Sequence, residues 1–232
     1  LNSTGREWWG VKEMIGLLRK RTYELAEDLL SLRIDEGCYV VVDTELTGLD
    51  YKKDSIVSIG GIKMTGGRIE MGKTFYKIVS PKMPLTSKSV VVHGITPSDV
   101  RGKPSIDSVM DEFIDFCNGY VVVGHFLSLD LKFLNKELKR LSHRPLENPV
   151  ADTFRIHDWI RHHNGDFSRH FGGMTGDRDL FSIAKKYKIQ VSETHNALMD
   201  AFITAQLFQR FLSFLPELGV TTIKELLKIG KP

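Results

Sequence analysis

The sequence predicts an α/β protein built on a sheet of mixed strand direction. Three observations carry that expectation. Two short β-branched runs, Tyr39-Val40-Val41-Val42 and Tyr120-Val121-Val122-Val123, read as buried strands. Two longer segments, Ile56 to Met64 and Arg68 to Val79, are joined by Thr65-Gly66-Gly67 and read as a hairpin in the same sheet. After these strands, apolar stripes of helical period alternate with the remaining strands. Strands first, then strands alternating with helices, give a sheet with both antiparallel and parallel neighbours.

Taken in order, residues 7–32 read as a helix whose Val11, Ile15, Leu18, Leu25, Leu29 and Leu32 recur at spacings of three and four, interrupted by Thr22. The first buried strand then ends at Asp43, and the hairpin follows. Beyond a Pro-containing stretch from Ser80 to Pro104, Ile106 to Phe116 looks helical, and the second buried strand runs into Gly124. The next helix carries the stripe Leu127, Leu131, Leu134, Leu138 and Leu141. A short strand near Pro149-Val150-Ala151 leads into a helix starting about Thr153. The segment from His162 to Asp179, rich in Gly, His and Asp, has no periodicity and reads as a surface loop. The helix from Asn196 to Phe214 turns Leu198, Ala201, Ala205, Phe208 and Leu212 inward. The domain reading is an N-terminal helical appendage at 1–36, an α/β domain at 37–215 and a C-terminal helical tail at 216–232.

Composition narrows the class. With 32 basic against 29 acidic residues the net charge is +3, which lacks the strongly basic signature of a nucleic-acid coat protein. The 41% hydrophobic content is enough for a sizeable core. Cys38 and Cys117 stand far apart outside any CxxC or Cys/His spacing, so neither a disulfide framework nor a zinc site is indicated. No apolar run reaches the roughly 18 residues that span a bilayer, and no signal-peptide pattern opens the chain. The expectation is a soluble protein of a reducing, cytoplasmic compartment with no membrane partner. Because the sequence begins at Leu1, it reads as a fragment or a processed form.

The chemistry lies in three acidic positions. In Val42-Asp43-Thr44-Glu45, side chains at i and i+2 share one face of a strand, so two carboxylates project together where that strand reaches the surface. Two like charges that close are unfavourable unless a cation joins them, and carboxylate oxygens suit Mg²⁺ or Mn²⁺. Alone, such a pair reads more readily as a solvated turn. Val123-Gly124-His125 ends the second strand, and Asp130 falls in the first turn of the next helix; strand ends and adjoining helix starts converge on one crevice in an open α/β sheet. Alone, Asp130 reads as helix-dipole electrostatics. Asp200 lies beside the inward-facing Leu198 and Ala201, and His195 just before that helix reads by itself as a cap or surface residue. The combination of the three places is what points to a metal site.

These residues resemble the DEDD exonuclease superfamily, histidine subclass, whose members include the bacterial proofreading exonuclease subunit and several exoribonucleases. Asp43-Thr44-Glu45 with Thr47-Gly48-Leu49 is similar to its first motif, Gly124-His125 through Asp130 to its second, and His195 through Asp200 to its third. His93-Gly94-Ile95-Thr96 and Asp152-Thr153 are similar to recurrent positions. The resemblance covers residues 37 to 214. It implies a ribonuclease H-like mixed sheet flanked by helices, with the N-terminal helix as an addition. It also implies a metal-dependent 3′→5′ exonuclease that releases nucleoside monophosphates from single-stranded or frayed 3′ ends of DNA, in proofreading or repair. Asp43 would bridge two divalent cations, Mg²⁺ or Mn²⁺, Glu45 and Asp200 would complete one, and Asp130 would support the other. His195 would be the general base, since imidazole exchanges protons near neutrality. Thr44, Leu46 and His93 are candidates for the terminal-nucleotide pocket. Phe126 stands where the family commonly has Asn, and Leu46 where the proofreading group commonly has Thr; Phe126 can stack on a base but cannot hydrogen-bond it.

Arg155, Arg161, Arg169, Lys185 and Lys186 are candidates for phosphate contacts or plain surface charge. Two alternatives stand beside this reading: an exoribonuclease of the same family acting on short RNA, and a catalytically silent nucleic-acid-binding or docking module. The apolar seam of the N-terminal helix predicts packing on its own domain, or association in a homodimer or with a polymerase or neighbouring domain.

Overall fold

The computed structural model describes residues 28–142, 145–163, 178–191 and 195–232. In chain order the elements are β1 (Cys38–Leu46), β2 (Ile56–Thr65), β3 (Arg68–Ile78), α1 (Ser87–His93), α2 (Pro97–Val100), α3 (Asp107–Cys117), β4 (Val121–Gly124) and α4 (Ser128–Ser142). They continue as β5 (Val150–Asp152), α5 (Thr153–His163), α6 (Leu180–Lys186), α7 (Ala197–Phe214), a 3-10 turn (Leu215–Leu218) and α8 (Ile223–Ile229). The strands lie side by side in the order β3-β2-β1-β4-β5. β1 and β3 pair antiparallel with β2, whereas β1 to β4 and β4 to β5 are parallel. This is the expected sheet of mixed direction with helices on both faces. The β2–β3 turn needs Gly66, which takes φ +51° and backs onto the Asp35 carbonyl.

The central strand is buried on both faces, which is why β1 reads as an unbroken apolar run. Successive side chains point to opposite faces. Tyr39 and Val41 join one core with Ile156, Ile183, Ala201 and Phe208, from α5, α6 and α7. Val40 and Val42 join the other with Val109, Phe113, Phe133 and Leu134, from α3 and α4. The Tyr39 and Phe208 rings meet edge to face at 4.9 Å, a geometry that contributes about 0.5–1.5 kcal/mol beyond burial. Odd-numbered positions of β1 therefore face α7 and even-numbered ones face α4, a parity that decides the site below.

Some boundaries differ from the sequence expectation. α5 runs through His162 and His163, because Ile156 and Ile160 keep its buried stripe in phase and its basic last turn suits the negative end of the helix dipole. Asp179 is the extended N-cap of α6, so the expected loop overlaps helix only at His162 and His163 and ends where expected; residues 164–177, including Arg169, lie outside the described residues. Leu141, expected in the buried stripe of α4, is 38% exposed, because the contacts of that helix with the core end at Leu138. Most of the expected N-terminal helix, residues 7–27, also lies outside the described residues. At its end, Leu29 packs on the core, while Leu32 is exposed. Ile34 is buried and donates its N–H to the Thr221 carbonyl, and Val220, Ile223 and Leu226 join the same core. No described helix is long and apolar enough to cross a membrane.

Candidate active site

The parity of β1 sorts the acidic residues. Asp43 and Glu45 extend the face of Tyr39 and Val41, toward α7, where Asp200 occupies the first turn. Oxygen atoms of Asp43, Glu45 and Asp200 all lie within 4.8 Å of one another. Thr44 takes the opposite parity and meets α4: its N–H and hydroxyl both donate to Asp130 Oδ1, at 3.0 and 2.5 Å. Asp130 stands outside the three-residue oxygen cluster, but its charge acts on Asp43 and Glu45.

Two features bring α7 this close. Gly60 pairs with Asp43 across the sheet, and a Cβ there would fall 2.2 Å from the Ala197 carbonyl carbon and 2.3 Å from the Leu198 nitrogen. Only glycine lets the helix start rest against the strand. Asn196 then caps α7, accepting from the Leu198 and Met199 N–H groups, while its amide donates to the Tyr76 hydroxyl. Such a cap contributes about 1 kcal/mol. His195, the residue before the cap, remains 40% exposed at its side chain, with Nδ1 3.4 Å from Asp200 Oδ2 and its ring edge-on to Phe181.

The electrostatics are those of crowded anions. Burial, followed by the charges of Asp130, Glu45 and Asp200, holds the Asp43 carboxyl well above the usual range. Glu45 is pushed up to about 8 by burial, then by Asp200 and Asp130. Burial raises Asp130 to about 7 against the hydrogen bonds from Thr44, and Asp200 to about 6 against the pull of His195. Glu45 Oε1 and Asp200 Oδ1 are buried with no hydrogen-bond partner among the described residues. Unsatisfied, mutually repelling carboxylate oxygens are what a hard divalent cation would relieve, so the donor set fits one.

Beside the carboxylates opens a cleft of about 600 Å³ lined by Thr44, Glu45, Leu46, His93 and Leu129, with Leu49 exposed at its rim. His93 is buried and its pKa is lowered by that burial. Its Nδ1 accepts from the Ile95 N–H at 3.0 Å, so the neutral ring carries its proton on Nε2, which has no partner among the described residues. Phe126 stands apart from this lining. It is 41% exposed at φ +53°, against Phe154 at 4.5 Å between ring centres. That left-handed backbone is held by Asp152, whose carboxylate accepts from the N–H groups of Phe126, Leu127 and Phe154. Arg155 and Lys185 are exposed on α5 and α6, and Arg161 and Lys186 are half-buried.

The sequence reading missed Gly60 and Asp54, and it noticed Asp152 without its role as the acceptor of three N–H groups. Gly60-Gly61 inside a strand was the available signal for a close approach of backbone. Asp54 braces the Thr47-Gly48-Leu49 turn, accepting from the Thr47 hydroxyl and the Asp50 N–H, and a Cβ at Gly48 would meet its carboxylate.

Residues 40–208 match the family described as Exonuclease, of the RNase T type. The chain belongs to the RNase T exonuclease family. This exonuclease is 30% identical over 180 residues to the DNA polymerase III subunit epsilon of Aquifex aeolicus, a match covering 78% of this chain and 83% of that protein. It is 31% identical over 191 residues to the DNA polymerase III PolC-type of Caldanaerobacter subterraneus subsp. tengcongensis, covering 82% of this chain. The chain spans only 13% of that longer relative, and 15% of the PolC-type polymerase of Thermotoga maritima. Its fold is that of Exonuclease X, solved with 5′ overhanging duplex DNA, with a TM-score of 0.62 and 21% identity over 83% of this chain and 99% of that one. E. coli Exonuclease I, solved with a dT13 oligonucleotide, gives a TM-score of 0.66 and 15% identity over 79% of this chain and 42% of that one. The expected enzyme class, a 3′→5′ exonuclease that hydrolyses phosphodiester bonds, and the resemblance drawn from the motifs both stand.

Proposed function

We propose that this exonuclease depends on divalent metal and releases nucleoside monophosphates from the 3′ end of DNA, in proofreading or repair. The observation that carries the reading is the meeting of Asp43, Glu45 and Asp200 within 4.8 Å, with buried oxygens of Glu45 and Asp200 unsatisfied. Asp43, Glu45, Asp130 and Asp200 would hold two cations, Mg²⁺ or Mn²⁺, which when bound supply positive charge to the attacking and leaving oxygens and acidify water.

The protein's own groups do the rest. His195 takes the proton of the attacking water, and Asp200, 3.4 Å from Nδ1, orients the ring. His93 donates from Nε2 to an oxygen of the terminal nucleotide, whose sugar and base lie against Leu46 and Thr44 in the cleft. The exposed face of Phe126, backed by Phe154, offers a stacking platform to a base. Arg155, Arg161, Lys185 and Lys186 supply positive charge for backbone phosphates of the strand.

DNA is favoured over RNA because the relatives are named as DNA polymerase III components and the two structural neighbours were solved with DNA. The epsilon relative is named as a polymerase subunit, which supports attachment to a polymerase or a second copy through residues 1–36. The cytoplasm is the compartment of this reading, where thiols such as Cys38 and Cys117 stay reduced. The test is incubation with Mg²⁺ or Mn²⁺ and 5′-labelled single-stranded DNA, duplex DNA and RNA. A ladder shortening from the 3′ end of DNA is expected. No ladder with either metal, or a ladder on RNA alone, overturns the assignment.

A further inference from the structure

Lysine side chains gather in a second concavity that the chemistry above does not use. A groove of about 750 Å³ runs along the outer side of α4, lined among others by Tyr51, Leu131, Lys132, Lys136, Lys139 and Lys231. Among the described residues no acidic side chain lines it. The chain as a whole is nearly balanced in charge, with 32 basic and 29 acidic residues, so four lysines around one groove are a local excess. Lys132, Lys139 and Lys231 make no ion pair with another described residue. Lys136 is spent differently: its ammonium donates to the Asp54 carbonyl at 2.8 Å.

That last bond ties the groove to the cleft. Asp54 lines the cleft, and Lys136, one turn from Lys132 on α4, lines the groove. At the start of α4, Ser128 faces the groove while its neighbour Leu129 faces the cleft beside Glu45. The two concavities therefore share two walls, the first turn of α4 and the turn around residues 50–54. Lys132, Lys136 and Lys139 sit at i, i+4 and i+7, on one face of the helix. From Lys132 to Lys139 the axis rises about 10 Å, room for more than one phosphate of a strand laid along the helix. Tyr51, 45% exposed, adds a flat aromatic face to this charged track. A basic groove with an aromatic platform is the composition that binds single-stranded nucleic acid without reading its sequence.

We infer that this groove binds the single-stranded segment of the substrate on the 5′ side of the scissile bond, with Lys132 and Lys139 on separate phosphates and Tyr51 stacked on a base. The inference rests on the reading of the carboxylate cleft as a DNA exonuclease site. It makes the groove a determinant of grip on long strands that plays no part in bond cleavage itself.

The test separates grip from chemistry. Anisotropy of a long labelled oligothymidylate is followed through a salt series with Ca²⁺ in place of Mg²⁺. Hydrolysis of the p-nitrophenyl ester of thymidine 5′-monophosphate, which fills only the cleft, is measured with Mn²⁺. For Lys132→Gln with Lys139→Gln, the slope of log affinity against log salt should fall by about 1.4, at about 0.7 for each phosphate contact on a single strand. Hydrolysis of the ester should be unchanged. Tyr51→Ala should weaken the oligonucleotide about tenfold and leave the slope alone. If the double variant keeps the wild-type slope and affinity while ester hydrolysis is intact, the groove does not carry the strand, and an acidic protein partner becomes its better occupant. A wild-type protein that cleaves the ester but binds no strand overturns the inference equally. A wild-type protein that cleaves neither ester nor DNA refutes the exonuclease reading itself, and the groove assignment with it.

Discussion

In chelator, the folded protein should lose stability as pH rises from about 6.5 to about 8, and divalent metal should abolish that loss. Glu45 sets the scale, because its carboxyl is pushed up to about 8 from 4.5 by burial and then by the charges of Asp200 and Asp130. In this window the unfolded chain has already released the proton and the folded chain still holds it. The native state binds more protons, so its stability falls as pH climbs through the folded value. Between about pH 6.5 and about pH 8 this single group gives up on the order of 1–2 kcal/mol. Asp43 and Asp130, also raised, act in the same direction.

His93, His125 and His157, whose pKa values burial lowers, have the opposite sign, and because an ordinary imidazole is still half protonated at about pH 6.5 their effect is complete only by about pH 7.5, which leaves the fall from Glu45 clearest above that. For a chain of this size about 1–2 kcal/mol shifts Tm by about 2–8 °C. Thermal unfolding in chelator, repeated in saturating Mg²⁺, reads it directly. With metal bound, the carboxylates are ionised throughout and the pH dependence should vanish, while metal at about a hundred times its Kd adds about 2.7 kcal/mol. Glu45→Gln in chelator should flatten the curve by its share. A Tm in chelator that stays level or rises across this window, or one that Glu45→Gln leaves unchanged, would refute the crowding of anions at the site.

Asp43→Ala should abolish divalent binding and nuclease activity without unfolding the protein; unchanged Mn²⁺ binding by calorimetry would sink its assignment as a ligand. His195→Ala should keep metal binding while turnover falls by about 10²- to 10⁴-fold, the usual loss for a general base, so wild-type turnover at saturating substrate and metal counts against that role. Gly60→Ala forces a Cβ into the backbone of Ala197 and Leu198, so it should displace the start of α7, lower Tm and weaken Mn²⁺ binding together; a variant with normal Tm and metal affinity shows that the approach of helix to strand is not limiting. Removing residues 1–27 should leave metal-dependent cleavage intact and change the mass measured by light scattering, whereas an inactive or insoluble product makes that segment part of the catalytic unit.

What was legible in the sequence was the part that depends on local pattern. The valine runs of β1 and β4 stand out because both faces of those strands are buried, and the period of two puts Asp43 and Glu45 on one face whatever packs against it. The five motif positions came from short local stretches similar to the family's motifs. What was not legible was parity. Nothing local says that the odd face of β1 meets α7 and the even face α4, so Thr44 could be read as a pocket residue but not as the donor of two hydrogen bonds to Asp130. Asp152 was noticed as a recurring position, yet its work, gathering three N–H groups around the left-handed Phe126, exists only once β5 lies beside β4.

Gly60 carries the sharper lesson. A glycine in mid-strand weakens the strand by removing a side chain and adding backbone freedom, so local propensity alone argues against it there. Its value appears only when α7, far away in sequence, lands within 2.3 Å of where its Cβ would be. The site is therefore assembled by concessions that each look unfavourable by themselves: a missing side chain at Gly60, a left-handed Phe126, and three carboxylates crowded without a partner charge. The first two cost a small part of the stability that two cores supply. The third cannot be relieved by packing, because hydrophobic neighbours make a bare carboxylate worse. It is relieved by protons or by a cation, and the choice between them is what pH and metal set.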